Sequence, residues 1–234
     1  MTGLAFTTSG DNGSLALIKK NKIHVVRSWK RTKQHSEVLI LSIEKILKNN
    51  NILPAELEFI AVDKGPGSFT GCRMAVNVAK TFGYTLSIPI YAVSSLDIIA
   101  ASVKNRFSGE FFCIADAHKS LLYGRQYTSN SGELKAVSSV RTWEVPELCS
   151  LLNSKKGIFG LIPPAANEEF KKTQPCYLRG VKFNVPQADV LGMMCIESFK
   201  ASQNTDFVSW SEVEPSYIRA PEAYEKFFSS RTKV

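Results

Sequence analysis

The sequence predicts a mixed α/β fold in which a five-stranded sheet with flanking helices occurs twice. Two observations support this prediction. Three short β-rich runs separated by turn residues open the chain, and helices alternating with strands follow them. The same order returns less clearly in the second half. We therefore expect an N-terminal lobe over residues 1–104 and a smaller or divergent C-terminal lobe, with a C-terminal helix or tail, over residues 105–234.

The elements of the first half follow from apolar periodicity, capping residues and the positions of glycine and proline. Turns at residues 10–13 and 20–22 are typical of hairpins between the first three strands. The predicted elements are strands at 4–8, 14–19 and 23–29, a helix at 36–49, a buried strand at 57–62, a helix ending near Ser87, a strand at 90–93, and a helix from Ser94 or Ser95 towards Val103.

The second half repeats this order. It predicts strands near 111–115, 121–127 and 134–140, a helix at 144–152, a strand at 157–161 and a helix at 187–200. Three antiparallel strands followed by alternating helices and strands is the order of the ribonuclease H-like lobe. Two such lobes face each other in actin, sugar kinases and the heat-shock ATPases. By analogy of element order, we expect duplicated ribonuclease H-like (actin-like, ASKHA) lobes.

The composition is that of a globular chain, with 44% apolar and 21% charged residues. Fully apolar runs reach only a few residues, and the N-terminus has no basic start, so we expect a cytoplasmic protein without a membrane span. The cysteines and histidines are scattered, which favours reduced core residues over a disulfide framework and predicts no metal site. They are Cys72, Cys113, Cys149, Cys176, Cys195, His24, His35 and His118.

A glycine-rich loop links the predicted strand at 57–62 to the following helix. It consists of Gly65, Pro66, Gly67, Ser68, Phe69, Thr70 and Gly71. Two interpretations stay open. Exposed backbone N–H groups at a helix start can bind an anion, or Ser68 or Thr70 is simply the N-cap of a tight connection. The spacing matches neither the phosphate loop of nucleotide triphosphatases nor the dinucleotide-binding motif.

A basic block between Lys19 and Lys33 carries seven lysines and arginines and no acidic residue, within a net charge of +8. Its first members, Lys19, Lys20 and Lys22, are candidates for contact with phosphate. Apolar residues alternate with the basic ones, so the solvated face of an edge hairpin is the alternative interpretation.

Two helices carry patterns typical of an interface. The helix from Ser36 has more apolar circumference than one core-facing stripe requires, so we expect a second element to cover part of it. The next helix has small residues at four-residue spacing, Ala75, Ala79 and Gly83, which predicts a groove for another helix. Met74, Val78 and Phe82 would then pack on the sheet. Alternatively, the two helices pack only on each other and on the sheet.

Several motifs together resemble the TsaB (YeaZ) family, the bacterial partner of the threonylcarbamoyl transferase TsaD in tRNA modification. They are residues 65–73 continuing through Ala79-Lys80 to Pro89 and 93–97, the His35-Ser36-Glu37 helix start, Asp116-Ala117 with Tyr123, and the Pro-x-Tyr-x-Arg ending in 214–219. The resemblance implies that the helices beginning near Ser36 and Thr70 pair with their equivalents in a homologous TsaD-type catalytic subunit. The interface residues it implies are His35, Ser36, Glu37, Leu39, Ile43, Thr70, Arg73, Ala75, Ala79 and Gly83.

The resemblance also bears on catalysis and on further partners. The family's catalytic protein binds a metal through two histidines one helical turn apart, whereas His35 is followed four residues later by Leu39. This implies a non-catalytic scaffold or activator subunit, with ATP or ADP and the metal in the partner or complex. The glycine-rich loop would face the nucleotide or the tRNA in the complex, and Lys19, Lys20 and Lys22 would contact tRNA bound through the complex. A TsaE-type ATPase and a homodimer of the isolated chain are further candidates.

The alternative function is an independent actin-like ATPase or small-molecule kinase, which the fold alone suggests. The family usually begins its first strand with Asp-Thr-Ser, but this chain has Thr7-Thr8-Ser9. A hydroxyl at Thr7 cannot balance the charge of a magnesium ion as a carboxylate would, which weighs against that alternative. No peptidase arrangement of nucleophile and base can be assembled from the sequence.

Overall fold

A computed structural model describes residues 1–30, 35–118, 121–151, 157–160, 176–177, 185–201 and 207–218. The predicted C-terminal helix or tail beyond residue 218 lies outside these residues. Within them the strands are β1 (Thr2–Thr7), β2 (Asn12–Lys19), β3 (Lys22–Lys30), β4 (Phe59–Asp63), β5 (Ile90–Val93), β6 (Gly109–Asp116), β7 (Leu121–Asn130), β8 (Glu133–Ala136), β9 (Arg141–Glu144), β10 (Gly157–Gly160), β11 (Cys176–Tyr177) and β12 (Phe207–Val208). The helices are α1 (His35–Asn49), α2 (Phe69–Leu86), α3 (Ser95–Val103), α4 (Val145–Leu151) and α5 (Ala188–Lys200), with a short 3-10 turn at Pro54–Glu56.

The first sheet has the strand order β12-β5-β4-β1-β2-β3. Strands β1, β2 and β3 are antiparallel hairpin neighbours, while β4 and β5 run parallel to β1. Side chains alternate between the two faces of a strand, so each face has its own core. One core, which includes Leu4, Phe6 and Ile60, is covered by α1 and α2. The other, which includes Ala5 and Phe59, is covered by α5.

The second sheet repeats the arrangement, with the order β11-β10-β6-β7-β8 and with β9 also pairing with β7. Strands β6, β7 and β8 are antiparallel, and β10 is parallel to β6, as β4 is to β1. The two sheets therefore confirm the predicted duplicated ribonuclease H-like, actin-like fold. Each sheet contains the five expected strands and one additional short strand.

The predicted strand at 134–140 is shorter in the structure, where β8 ends at Ala136, and a separate strand, β9, follows at Arg141–Glu144. Between β8 and β9, the Ser138 hydroxyl accepts a hydrogen bond from the backbone N–H of Gln126 on β7 at 3.0 Å. In a continuous sheet, a backbone carbonyl of the neighbouring strand would accept this bond. A serine side chain that takes a backbone partner competes with the sheet. The pairing with β7 consequently stops after Ala136 and resumes at Arg141.

The chain returns to the first sheet after building the second. Helix α5 packs on β1, β2 and β3, and β12 pairs antiparallel with β5 through Phe207 and Val208. Both elements come after residue 104, so the structure places them with the first sheet although the predicted division grouped them with the second lobe. The physical reason is that β5 would otherwise expose its edge and α5 covers an apolar face that α1 and α2 do not reach.

Helix α3 lies between the two sheets and belongs to both cores. Ile98 packs in the core beneath α5, while Leu96 and Ile99 pack against the second sheet. The Asp97 carboxylate accepts hydrogen bonds from Arg125 Nη1 at 2.9 Å and from Tyr127 Oη at 2.6 Å, both on β7. Burial and the neighbouring Asp97 charge raise the pKa of the Tyr127 hydroxyl, which keeps it a donor.

None of the described helices combines the length and apolarity needed to cross a bilayer.

Candidate functional site

The glycine-rich loop is bonded to its surroundings by its own backbone. Ser68 caps α2, and its hydroxyl accepts the Gly71 N–H at 3.3 Å. The Ser68 N–H donates to the Ser9 carbonyl at 2.7 Å, and the Gly65 carbonyl accepts the Ser95 N–H at 2.9 Å. The Ser95 hydroxyl also donates to the Pro66 carbonyl. The structure contains the N-cap of the second interpretation, and the N–H groups of Gly65, Ser68 and Gly71 are used inside the chain.

Two of the glycines allow the loop to lie directly against the end of β1. A Cβ on Gly67 would overlap the carbonyl oxygen of Ser9, and a Cβ on Gly71 would overlap that of Thr8. Thr8 Oγ1 donates to the Gly71 carbonyl at 2.7 Å. The loop and the β1 end therefore form one packed unit, in which no larger residue fits at these two positions.

Asp63 lies at the centre of this unit, at the end of β4. Its side chain is fully buried and accepts hydrogen bonds from the Ser9 hydroxyl and from the Gly65 N–H, the latter at 2.8 Å. Burial raises the pKa of Asp63 to about 6, and the two hydrogen bonds moderate the rise. Sequence reasoning missed this residue. The available signal was a carboxylate closing an apolar strand immediately before the glycine-rich loop.

The pKa of Asp63 makes stability depend on pH. Because folding raises the pKa of Asp63 from 3.8 to about 6, the folded chain holds the Asp63 proton more tightly than the unfolded chain between pH 3.8 and about pH 6. The contribution of Asp63 to the free energy of unfolding is thus most favourable below about pH 4 and is lost as the pH rises through about 6. We expect Asp63→Asn, which cannot ionise, to gain about 2–3 kcal/mol relative to the unchanged chain between pH 4 and pH 7. Urea unfolding over this range measures it.

Asp11→Asn is the control for this comparison, because Asp11 is exposed in the turn before β2. If Asp11→Asn gained as much stability as Asp63→Asn over the same range, the effect would come from removing any carboxylate and not from the buried one. Parallel stability curves for Asp63→Asn and the unchanged chain would show that Asp63 is not the titrating group.

A cleft lies between the two sheets beside the glycine-rich loop. Its lining includes Ser9, Gly67 and Ser95, with Asp11 and Asp116 contributing carboxylates. Its volume is about 60 Å³, which holds a few water molecules. Pockets for small-molecule ligands have volumes of about 300–1,000 Å³. The cleft bounded by the described residues is smaller than this, and its carboxylates repel a phosphate that no cation accompanies.

Thr7, the last residue of β1, has a structural role. It is buried, and its Oγ1 lies 3.0 Å from Ser14 Oγ and donates to the Pro186 carbonyl at 3.1 Å. Ser14 Oγ in turn accepts the Ala188 N–H at the start of α5, at 2.8 Å. Thr7 thus ties β1 to α5. In the described part of the chain, no three His, Cys, Asp or Glu side chains come together as metal ligands.

Half of the predicted interface residues are buried in the core of the isolated chain. They are Leu39, Ile43, Ala75, Ala79 and Gly83. The small residues of α2 bring its backbone close to the sheet and not to another helix. A Cβ on Gly83 would stand 2.9 Å from Ile90 Cδ1 of β5. The stripe of Met74, Val78 and Phe82, predicted to face the sheet, is only partly buried.

The outer faces of α1 and α2 carry the remaining predicted residues. Glu37, Thr70 and Arg73 are exposed, and His35 and Ser36 begin α1 although their side chains lie outside the described set. The apolar surplus expected on α1 consists of Ile40 and Leu41, which are 56% and 50% exposed. In the loop, Phe69 and Thr70 are exposed, whereas Gly65, Pro66, Ser68 and Gly71 are buried and Gly67 is partly buried.

The basic hairpin lies at the other end of the first sheet. Thr2 pairs with Lys19, whereas Thr7, next to the glycine-rich loop, pairs with Ser14. Five residue steps of about 3.4 Å separate the two ends by roughly 17 Å. Lys20 and Asn21 form the turn with positive φ values of 52° and 59°. Lys20 and Lys22 are exposed on this edge hairpin, and Lys19 is half-buried. The hairpin and the loop are therefore separate surfaces.

Comparison with known families gives one match over most of the chain. The model of the TsaD family, described as tRNA N6-adenosine threonylcarbamoyltransferase, matches residues 29–223. The TsaB protein of Bacillus subtilis, named for tRNA threonylcarbamoyladenosine biosynthesis, is 36% identical over 137 residues, covering 58% of this chain and 59% of the relative. TsaB of Buchnera aphidicola subsp. Schizaphis graminum is 33% identical over 129 residues, covering 55% and 61%. The match thus spans about three fifths of these relatives.

Two solved structures from Pseudomonas aeruginosa have the same fold. One is described as an uncharacterized protein with similarity to the peptidase YeaZ, with a TM-score of 0.76 at 21% identity, covering 93% of this chain and 99% of that one. The other, YeaZ itself, has a TM-score of 0.72 at 20% identity, covering 92% and 99%.

Proposed function

Since the chain belongs to the TsaD family of tRNA N6-adenosine threonylcarbamoyltransferases, we propose that it serves N6-threonylcarbamoyladenosine formation in tRNA as a non-catalytic scaffold and activator subunit. Its partner is a TsaD-type catalytic subunit. The resemblance to TsaB (YeaZ) proteins that the motifs indicated is confirmed by the relatives. ATP or ADP, the metal and the chemistry reside in the partner or the complex, and the complex is cytoplasmic.

One observation carries the docking role: Ile40 and Leu41 are exposed on a helix whose core-facing stripe is already complete. Leu39, Ile43 and Ile46 fill that stripe. Helix α1 lies on β2 and α2 lies on β4 and β1, so the two helices are neighbours on one face of the sheet. We call their exposed outer side chains the docking face. Exposed neighbouring apolar residues on such a face favour association with another protein.

The geometry of the cleft supports a non-catalytic role. The cleft bounded by the described residues is smaller than most small-molecule pockets. Thr7 and Ser95 hold α5 and the glycine-rich loop. Asp63 is committed to Ser9 and Gly65. Only the fold itself favours the alternative of an independent ATPase or small-molecule kinase, since the described residues of the site add nothing to support it.

The proposal is tested by co-expressing the chain with the catalytic subunit of its own organism. Size-exclusion chromatography with light scattering should detect a one-to-one complex, with each chain alone as control. The molar mass of the isolated chain, measured in the same experiment, also shows whether it forms a homodimer. A chain that stays apart from the partner contradicts the proposal, and magnesium-dependent ATP turnover by the isolated chain would then test the alternative.

The basic hairpin gives a further prediction for the assembled complex. If tRNA bound to the complex contacts this end of the sheet, changing Lys19, Lys20 and Lys22 to glutamate should weaken tRNA binding. The slope of log K against log salt should flatten by roughly 2–3, because each lost phosphate contact removes about 0.7–0.9. Filter binding at several salt concentrations measures both. Changing the lysines Lys135 and Lys200 to glutamate is the control. An unaltered slope in the hairpin variant would mean that the hairpin does not contact tRNA and is only the solvated face of an edge hairpin.

A further inference from the structure

A segment near the C-terminal end of the described chain runs along α2, and we call residues 207–218 the strap. It begins as β12 on the edge of the first sheet. Val213 is buried in the core beneath α2. Lys80 of α2 donates to the Val213 carbonyl at 3.1 Å and pairs with Glu214 at 3.0 Å. The Ser216 N–H donates to the Lys64 carbonyl at 2.7 Å, just before the glycine-rich loop. The strap is thus fixed beside α2 at several points.

Aromatic pairs join the strap to both ends of α2. Trp210 meets Tyr84 edge-on, with ring centroids 5.0 Å apart. Tyr217 meets Phe69, the first residue of α2, with centroids 5.5 Å apart. The guanidinium of Arg73 lies 5.3 Å from the centroid of the Phe69 ring. These rings still face solvent: Tyr217 is 51% and Phe69 41% exposed. The strap therefore adds aromatic surface to α2 and leaves it accessible.

The exposed apolar side chains of the molecule concentrate on this side. Among the described residues, seven of the thirteen exposed large apolar side chains lie on α1, α2 or the strap. They are Ile40, Leu41, Phe69, Tyr84, Trp210, Tyr217 and Ile218. Tyrosine, tryptophan and arginine are the residues that most often dominate the binding energy of protein interfaces. A concentration of this kind fits a protein partner better than a solvated surface.

The charges of α2 indicate what the partner presents. The outward ridge of α2 is formed by Thr70, Arg73, Asn77, Thr81 and Tyr84. It carries one cation and no acidic residue. A partner that covers this ridge needs apolar and neutral side chains, with a carboxylate opposite Arg73.

We propose that the strap is part of the docking face and that Tyr217, held against Phe69, is one of its anchor residues. The occupant is the helix pair of the homologous catalytic subunit, with a carboxylate directed at Arg73. This inference rests on the proposed function, because it extends the same docking face from α1 and α2 to the strap. Under this proposal, the Pro215-x-Tyr217 motif contributes directly to binding of the catalytic subunit.

The test compares binding of the catalytic subunit by full-length variants in isothermal titration calorimetry. Tyr217→Ala should raise the Kd at least about 10-fold, whereas Tyr217→Phe, which keeps the ring, should stay within about twofold of the unchanged chain. Met193→Ala is the matched control, since Met193 is an exposed apolar residue on α5, at the other face of the sheet. The thermal unfolding midpoints of all variants should agree, which separates docking from a fold defect.

The contrary outcomes are distinct. If Tyr217→Ala binds like the unchanged chain while changes at Ile40 and Leu41 abolish binding, the strap is not in the interface but the proposed function stands. If the unchanged chain binds no catalytic subunit, the proposed function falls and the strap proposal falls with it. If Tyr217→Ala keeps its affinity for the partner but lowers tRNA binding by the complex, the strap is a nucleic-acid surface and the proposal is overturned.

Discussion

Changing Ile40 and Leu41 together to glutamate is expected to weaken binding of the catalytic subunit by at least about 100-fold. Ile40 is 56% and Leu41 50% exposed, so a glutamate at either position is well solvated in the isolated chain. In the complex, each carboxylate would be buried against apolar partner surface, which costs several kcal/mol without a compensating partner. Calorimetry or light scattering of the mixed subunits measures the effect.

The matched control for this pair is Met193→Glu. Met193 is an exposed apolar residue on α5, which covers the opposite face of the same sheet. It should leave the affinity unchanged within about twofold, and the unfolding midpoints of both variants should match that of the unchanged chain. Equal loss of binding in the two variants, or none in either, would remove the docking face from α1. Ala79 is unsuitable for such a test, because it is buried and a charge there disrupts the core.

Gly71→Ala is expected to lower the free energy of unfolding by about 3 kcal/mol or more. The added methyl group would overlap the Thr8 carbonyl oxygen, which belongs to backbone at the end of β1 and cannot swing aside as a flexible side chain does. Either the loop or β1 must shift. The shift would also strain the bond from Thr8 Oγ1 to the Gly71 carbonyl and the cap at Ser68. Overpacking at a rigid site of this kind falls among the large single-residue effects.

Gly10→Ala is the control for this substitution. Gly10 lies in the turn between β1 and β2. A Cβ on Gly10 would meet its nearest neighbour, Pro186 Cδ, at an ordinary 3.8 Å. Urea unfolding should therefore give a change within about 0.5 kcal/mol for Gly10→Ala. If the two alanine variants were equally stable, close packing of loop against strand could not be the reason for a glycine at 71.

Local patterns in the sequence were sufficient for most elements of the fold. Short β-rich runs between turn residues indicated the opening strands, and apolar periodicity indicated α1 and α2, because both patterns are local in the sequence. The capping serines before α2 and α3 were also readable, since their hydroxyls serve N–H groups only a few residues away.

Features that depend on distant parts of the chain could not be read in this way. The spacing of Ala75, Ala79 and Gly83 shows that something approaches α2 closely, but not whether it is a helix or a sheet. Strand β12 has two residues and exists only because β5 is beside it. The burial of Asp63 and the position of the basic hairpin relative to the loop likewise follow from strand pairing across more than forty residues.

The return of α5 and β12 to the first sheet has a consequence for synthesis on the ribosome. A nascent chain that ends at residue 104 has made β1 to β5 but lacks the helix that covers Ala5, Ala16 and Phe59. That apolar face stays uncovered until residues 188–200 emerge from the exit tunnel. The first sheet is therefore completed only after the second sheet has been translated, and its uncovered apolar face is open to aggregation in the interval.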